Sequence, residues 1–153
     1  MEHICSLETP IGQLGIAENG IGITDIFLYG TEKAPLNDET PLLQKAMREL
    51  REYFAGRRKD FDLPLSLHGT TFQLADWAAL QTIPYGETRN YRQIAELIGS
   101  PKACRAVGGA NNRNPVMIMV PCHRVIGTDG SLVGYGCGLG AKRFLLELEK
   151  KYR

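Results

Sequence analysis

The sequence NPVMIMVPCHR occupies residues 114–124 and joins an apolar run to three side chains that can do chemistry. Residues 116–120 are apolar without interruption, which predicts a strand buried on both faces. Pro121 restricts the exit from this strand, so Cys122 is expected to lie rigidly at the base of a cavity. The imidazole of His123 and the guanidinium of Arg124 follow directly. Such neighbours lower the pKa of a thiol and make it more reactive.

Cys122 is the candidate nucleophile and His123 its candidate base. A free thiol is mostly protonated at neutral pH, so a nucleophilic cysteine needs a base or a positive environment. Neighbouring side chains of an extended segment point to opposite sides, so His123 is expected to act through a water molecule. The alternative is that Cys122 is a small buried hydrophobe and His123 a core histidine with satisfied hydrogen bonds.

The remaining cysteines and histidines give no sign of a metal site or a disulfide framework. The four cysteines, at positions 5, 104, 122 and 137, lack the spacing of a zinc knuckle or a CxxC pair. His3, Cys5 and His68 are too scattered to predict a metal site. The glycine-rich segment 134–140 has too few residues after it for a dinucleotide-binding unit. We therefore predict neither a metal nor a cofactor.

The charge is distributed unevenly along the 153 residues, whose net charge is +1. Residues 1–68 carry a net charge of -4 and residues 69–153 one of +5. Between Arg89 and Arg124 there are six basic residues and one acid, Glu96. This bias is typical of a surface that attracts a phosphate backbone, although a solvated basic face is the alternative.

Two short helices are predicted before the apolar run. The first covers Tyr91–Ile98, where Ile94, Leu97 and Ile98 share one face, and Gly99 ends it. Ser100 and Pro101 are suited to cap and begin the second helix. The pair is a candidate helix-turn-helix, although such pairs also occur in proteins that never contact DNA.

The second helix of this pair is expected to present a face of small residues to a partner. Its inner side is predicted to hold Ala103, Ala106, Val107 and Ala110, and its outer side Lys102, Arg105, Gly109 and Asn112. Such a helix can bring its backbone close to a DNA groove while one long arginine reaches further in.

The rest of the chain predicts an α+β protein of two domains, residues 1–68 and 69–153. In the first, Gln13–Glu18 and Ile21–Leu28 are candidate strands of a hairpin. After Pro41 apolar residues recur at helical spacing as far as Phe54, with Gly56 as a stop, which predicts a helix, and Phe61–Leu67 is a further candidate strand. The second domain begins with a helix over Thr71–Thr82. The sequence has no apolar run long enough to cross a bilayer and no secretory leader, so we expect an intracellular protein.

The segment Pro121-Cys122-His123-Arg124-Val125 resembles the active-site signature of the O6-alkylguanine-DNA alkyltransferases. The resemblance extends over the second half, through residues 91–95, residues 102–109, Asn114-Pro115 and Gly134-Tyr135. The first half resembles the small ribonuclease-H-like N-terminal domain of the family only loosely. The resemblance implies a mostly helical DNA-binding domain in which a short buried strand carries the cysteine.

The resemblance also implies roles for the reacting residues. Cys122 accepts the alkyl group, and His123 removes its proton through a water molecule. Glu149 orients His123, and Asn114 braces the turn.

On the DNA side, the resemblance implies that Tyr91 helps to rotate the phosphate and donates to the guanine ring, while Arg105 fills the gap left in the base stack. The other residues expected at the DNA are Lys102, Ala106, Gly108 and Arg124. The pocket for the flipped base is formed by Tyr91, Val125, Tyr135, Gly136 and Cys137. Two residues depart from the family pattern: Cys137 replaces a glycine, and Asp76 replaces an apolar residue.

The implied function is DNA repair by direct reversal, in which an alkyl group, chiefly methyl, moves once and irreversibly from O6 of guanine to Cys122. O4 of thymine is a second position to test. The expected partner is double-stranded DNA with O6-alkylguanine, bound by a monomer without a cofactor, away from membranes. The expected location is the cytoplasm, with association to the nucleoid on DNA, or the nucleus in a eukaryote. One alternative is a non-enzymatic sensor of alkylated DNA with the same fold, and another is a cysteine hydrolase.

Overall fold

The computed structural model describes residues 2–29, 38–132 and 138–153. The chain divides into two compact units, Met1–His68 and Gly69–Arg153. The first unit combines a sheet with a helix and the second is mostly helical, which confirms the predicted α+β class. Over the described ranges, no helix has the length and apolar character needed to cross a membrane.

The first unit is built on a three-stranded antiparallel sheet of β1 (His3–Thr9), β2 (Gly12–Glu18) and β3 (Ile23–Leu28), in that order. Thr9 pairs with Gly12 and a two-residue turn joins them. Gly12 has φ +121°, which suits glycine. The predicted hairpin of the second and third strands is confirmed, whereas β1 was not predicted.

The predicted helix is confirmed as α1 (Pro41–Phe54), which packs on β1 and β2. Thr40 caps it by accepting a hydrogen bond from the Leu43 amide at 3.2 Å, and Pro41 occupies the first turn, where its missing N–H is harmless. The buried face of the helix consists of Leu43, Ala46, Glu49, Leu50 and Tyr53.

The predicted strand Phe61–Leu67 is wrong. Only Leu65 forms a bridge, parallel to Ile23, held by the Ile23 amide donating to the Pro64 carbonyl and the Ser66 amide donating to the Ile23 carbonyl, both at 2.8 Å. Pro64 has no N–H to continue a ladder, which explains why the alternating pattern does not become a strand.

In the residues that the structure describes, the second unit contains four α-helices, one 3-10 helix and two short strands. In chain order the α-helices and strands are α2 (Thr71–Leu80), β4 (Arg89–Asn90), α3 (Tyr91–Ile98), α4 (Cys104–Asn112), β5 (Val125–Ile126) and α5 (Leu139–Lys151). Helices α2, α3 and α4 contact one another, and β4 pairs in parallel with β5. The Trp77 indole donates to the Ala110 carbonyl at 2.9 Å and joins α2 to α4.

The predicted helix pair is present, with corrections to its details. Gly99 ends α3 with φ +86°, as expected. Helix α4 begins at Cys104 rather than Pro101, because Ser100 accepts a hydrogen bond from the Ala103 amide in a separate turn. Leu97 is 60% exposed and Ala106 is exposed, so neither lies on the inner face predicted for it.

The predicted strand at residues 116–120 is also wrong, because this apolar run forms a buried turn. The Val120 amide donates to the Val116 carbonyl at 3.0 Å and closes the turn, and Ile118 has φ +73°. Complete burial makes a turn as apolar as a buried strand, so the hydrophobic pattern alone does not separate them.

Asp76 lies inside the second unit, on α2, with no exposed surface. The Asn111 amide nitrogen, in the orientation that donates, lies 2.6 Å from its Oδ2. Burial raises the pKa of Asp76 to about 7. In the unfolded chain an aspartate titrates at about 4. The folded protein therefore loses stability as the pH rises from about 4 to 7, because only the unfolded chain releases the proton there.

We expect Asp76→Asn to remove this pH dependence, because an amide keeps the contact with Asn111 and does not ionise. The stability of the variant relative to the original protein should rise by on the order of 3 kcal/mol between pH 4 and pH 8. Urea unfolding across this range measures it, with exposed Asp60→Asn as the control. Parallel stability profiles for the Asp76 variant and the original protein would contradict the expectation.

Candidate active site

Cys122 begins a one-turn 3-10 helix, Cys122–Arg124, between the buried turn and β5. Its side chain is only 6% exposed, and the Asn114 amide donates to Sγ at 3.2 Å. The same amide donates to the Val120 carbonyl at 2.7 Å, and its oxygen accepts from the Val116 amide at 2.9 Å. Asn114 thus ties the turn to the sulfur, and a donor at the sulfur favours the thiolate.

His123 follows in the 3-10 helix, so the prediction of an extended segment here is wrong. The ring is fully buried and its Nε2 lies 2.7 Å from Oε2 of Glu149. Burial lowers the pKa of His123, although Glu149 opposes this effect, so the ring is neutral at neutral pH. A carboxylate can only accept, so Nε2 carries the proton and Nδ1 is the basic nitrogen.

The second ring nitrogen, Nδ1 of His123, is buried and has no hydrogen-bond partner among the residues the structure describes. A basic nitrogen in this state can accept a proton, which is what a general base requires. The pair of His123 and Glu149 therefore combines an oriented imidazole with a fixed carboxylate.

Glu149, at the end of α5, is the centre of a buried polar network. It accepts from Arg124 at 2.8 Å and 3.1 Å and from the Gly86 amide at 3.2 Å, in addition to His123. Burial alone raises the pKa of Glu149, but the hydrogen bonds from His123 and Arg124 and the charge of the Arg124 guanidinium outweigh it and hold the pKa well below its ordinary value. The carboxylate is therefore ionised throughout the physiological pH range.

Arg124 is not placed as a DNA contact, which corrects the expectation from the sequence. Its side chain is only 7% exposed, and its third contact is to the Ile83 carbonyl at 2.7 Å. A guanidinium with these buried partners cannot reach a phosphate. The family signature identifies the arginine at this position but carries no information on the direction of its side chain.

Lys142 is a residue of this site that the sequence interpretation missed. It is fully buried on α5, and its Nζ donates to the Val125 carbonyl at 2.5 Å. A signal was present in the sequence, because Lys142 lies on the helical stripe of Leu145 and Leu148, where a charge is unusual.

Gly108 of α4 lies beside Tyr91 at the start of α3. A Cβ added to Gly108 would lie 3.8 Å from the ring of Tyr91, so this glycine faces the tyrosine. Burial raises the pKa of Tyr91, and a thiolate at Cys122 raises it further. The hydroxyl is therefore protonated and able to donate.

Of the other predicted residues, three are exposed, one is buried and three lie outside the described residues. Lys102, Arg105 and Ala106 are exposed on α4 or just before it. Tyr135, Gly136 and Cys137 fall outside the described residues. Val125 is buried and pairs with Arg89 across β4 and β5. Over residues 2–29, 38–132 and 138–153 there is no cluster of three His, Cys, Asp or Glu side chains suited to a metal.

Both units match models of one protein family. Residues 71–151 match the DNA-binding domain of 6-O-methylguanine DNA methyltransferase, and residues 4–67 match its ribonuclease-like domain. The expectation of a ribonuclease-like domain followed by a helical DNA-binding domain is thereby confirmed.

Several relatives match over almost the whole chain. The constitutive methylated-DNA--protein-cysteine methyltransferase of Bacillus subtilis is 50% identical, covering 98% of this chain and 96% of the relative. The protein of the same name from Methanosarcina barkeri is 48% identical, covering 94% of each chain.

Solved structures agree with these sequence matches. The crystal structure of the O6-methylguanine methyltransferase of Mycobacterium tuberculosis has a TM-score of 0.91 at 46% identity, covering 100% of this chain and 95% of that one. A crystal structure of the OGT of the same organism in complex with DNA has a TM-score of 0.90 at 48% identity, covering 98% of this chain and 94% of that one.

Proposed function

Because the chain belongs to the 6-O-methylguanine DNA methyltransferase family, we propose that it repairs DNA by taking an alkyl group, chiefly methyl, from O6 of guanine onto Cys122. The observation that carries this proposal is the buried thiol of Cys122, held by Asn114, beside a histidine that is oriented by Glu149. A non-enzymatic sensor has no use for this set of groups.

In the proposed reaction the Cys122 proton passes through a water molecule to Nδ1 of His123, and Glu149 stabilises the imidazolium. The thiolate then attacks the alkyl carbon, and the electron pair of the broken carbon–oxygen bond leaves on O6 of guanine. The Tyr91 hydroxyl and backbone amides stabilise this charge, and protonation returns ordinary guanine. The resulting thioether is a stable bond, so we expect each molecule to react once.

The proposed partner is double-stranded DNA that carries O6-alkylguanine. The alkyl carbon is buried in the duplex, so the base must be turned out into a pocket. We assign the pocket to Tyr91 and Val125, together with the expected Tyr135, Gly136 and Cys137. Lys102, Arg105, Ala106 and Gly108 are assigned to the DNA, and Arg105 fills the space that the base leaves.

We further propose that residues 69–153 carry the transfer reaction and residues 1–68 form a separate domain, in a protein that acts as a monomer. Its place of action would be the DNA of the cytoplasm or nucleus.

The decisive experiment uses duplex DNA with O6-methylguanine labelled in its methyl group. The expected result is label on the Cys122 peptide at a ratio that approaches one per protein, with unmodified guanine in the duplex. Tight binding without transfer of label would favour a sensor. Repeated turnover of a small ester would instead favour a cysteine hydrolase. Because exposed Arg105 is expected to act on the duplex alone, its variants separate base flipping from chemistry.

We expect Arg105→Ala to slow repair of duplex DNA by about tenfold or more, while reaction with free O6-benzylguanine changes little. Base extrusion costs a few kcal/mol, which the inserted side chain offsets, and only the duplex requires it. Single-turnover rates with both substrates measure the effect, and exposed Arg143→Ala on α5 is the matched control. Equal losses on the two substrates would place Arg105 in the pocket instead.

A further inference from the structure

The exposed side of helix α1 carries positive charge in a unit that is otherwise acidic. Residues 45–59 contain six basic and two acidic side chains, a net charge of +4, whereas the rest of residues 1–68 has a net charge of -8. The surface of a soluble protein usually mixes the two signs, because like charges that lie close together repel. A cluster of basic side chains on an acidic unit therefore indicates an anionic partner.

The two acids of this segment do not neutralise the cluster, because other groups hold both of them. Glu49 is 1% exposed, and its Oε1 accepts from the Asp62 amide at 2.8 Å. The Glu52 carboxylate accepts from Nε of Arg58 at 2.8 Å. Outside the segment, Asp62 also lies 3.1 Å from Nζ of Lys45. Pairing with acids therefore accounts for Lys45 and Arg58.

Three exposed arginines of the segment, Arg48, Arg51 and Arg57, form no ion pair with the residues that the structure describes. Arg48 and Arg51 are three residues apart on α1, so they are neighbours on its surface. Arg57 lies next to the last turn of the helix, where its amide donates to the Glu52 carbonyl at 2.9 Å. Glu52 is in turn one helical turn from Arg48. We call these three side chains the arginine surface.

We propose that the arginine surface binds the phosphate backbone of duplex DNA, as a second contact separate from the residues assigned to DNA on α4. DNA is a regular row of phosphates, and an exposed guanidinium can bind a phosphate with two parallel hydrogen bonds. The contact is independent of base sequence and of damage, because phosphates carry no information on the base. This inference goes beyond the proposed function, since it concerns undamaged DNA and does not require alkyl transfer.

The test is the salt dependence of binding to an undamaged duplex, measured by fluorescence anisotropy with the full chain. The α1 variant combines Arg48→Gln, Arg51→Gln and Arg57→Gln, which remove three charges and keep polar side chains on the surface. Each lost phosphate contact reduces the slope of log K against log salt by about 0.9, so the slope should become shallower by about 2–3. At about 0.1 M salt the affinity should fall about tenfold or more.

The matched control combines Arg143→Gln, Lys150→Gln and Lys151→Gln, which replace three exposed basic residues of α5. This control lowers the net charge by the same amount, so it separates a local contact from a change in overall charge. Its slope should match that of the original protein. An α1 variant whose slope equals that of the control or of the original protein would overturn the proposal.

A second copy of the chain is the other anionic partner to be tested, because the rest of residues 1–68 is acidic. Sedimentation of the free proteins measures this, and the original protein and the α1 variant should both be monomers. Self-association that the original protein shows and the α1 variant loses would overturn the proposal.

The proposed function fails or holds by a separate measurement. The α1 variant should react with free O6-benzylguanine at the rate of the original protein, since the arginine surface is assigned to the duplex alone. Absence of alkyl transfer in both proteins would refute the proposed function, and the affinity for undamaged DNA would still decide the role of the arginine surface.

Discussion

Cys122→Ala is expected to abolish methyl transfer and to leave binding to alkylated DNA intact. The sulfur forms the new bond, whereas recognition is assigned to the exposed face of α4 and to the base pocket. Replacing a small side chain that is 6% exposed by alanine removes little packing, so the variant should fold. The measurement is transfer of labelled methyl from O6-methylguanine duplex, together with a binding titration of the same duplex.

The control for this variant is Cys104→Ala, which removes a half-exposed thiol at the start of α4. It should transfer label as the original protein does. Labelled methyl on the Cys122→Ala protein would contradict the assignment of Cys122 as the acceptor.

Glu149→Gln is expected to slow transfer strongly and to destabilise the second unit. Glutamine keeps the shape but not the charge, so Arg124 is left as a buried cation without its anion, which costs about 3–5 kcal/mol. His123 loses the carboxylate that orients it and stabilises its protonated form. Single-turnover transfer at a temperature where the variant is folded measures the first effect, and urea unfolding measures the second.

Glu147→Gln is the matched control, since Glu147 is exposed on the same helix. It should leave both the rate and the stability unchanged. The pH dependence gives a further check: because the folded pKa of Glu149 is lowered, its stabilising contribution is present above about pH 4 and is lost as the pH falls below that value. If Glu149→Gln matched Glu147→Gln in both assays, Glu149 would have no part in the site.

Patterns of periodicity and capping were sufficient to predict most of the helices. The helical spacing of apolar residues after Pro41, among them Leu43, Ala46 and Leu50, predicted α1, and Gly99 predicted the end of α3. These signals depend on residues that are close in the sequence, so they can be recognised without knowledge of the tertiary structure. The start of α4 was misplaced because a good capping sequence, Ser100-Pro101, was used for a turn instead.

The sequence predicted which residues form the site but not how their side chains are arranged. Sequence resemblance named Cys122, His123 and Glu149, and the structure brings the last two together at 2.7 Å. The direction of the Arg124 side chain depends on how α5 packs against the 3-10 helix, and no local pattern encodes that contact. The burial of Lys142 did have a local signal, because this residue lies on the apolar stripe of α5.

The buried turn before Cys122 limits which residues can replace Ile118 during evolution. Ile118 adopts a left-handed backbone conformation, which is costly for a β-branched residue, yet its side chain is only 1% exposed. Glycine would suit the backbone but would empty the space that the side chain fills, and a polar residue such as asparagine would be buried without a partner. Each substitution that relieves one demand worsens the other. We therefore expect single substitutions of Ile118 to lower the stability of the fold. A substitution at this position is expected to be tolerated only when the residues packed around it change as well.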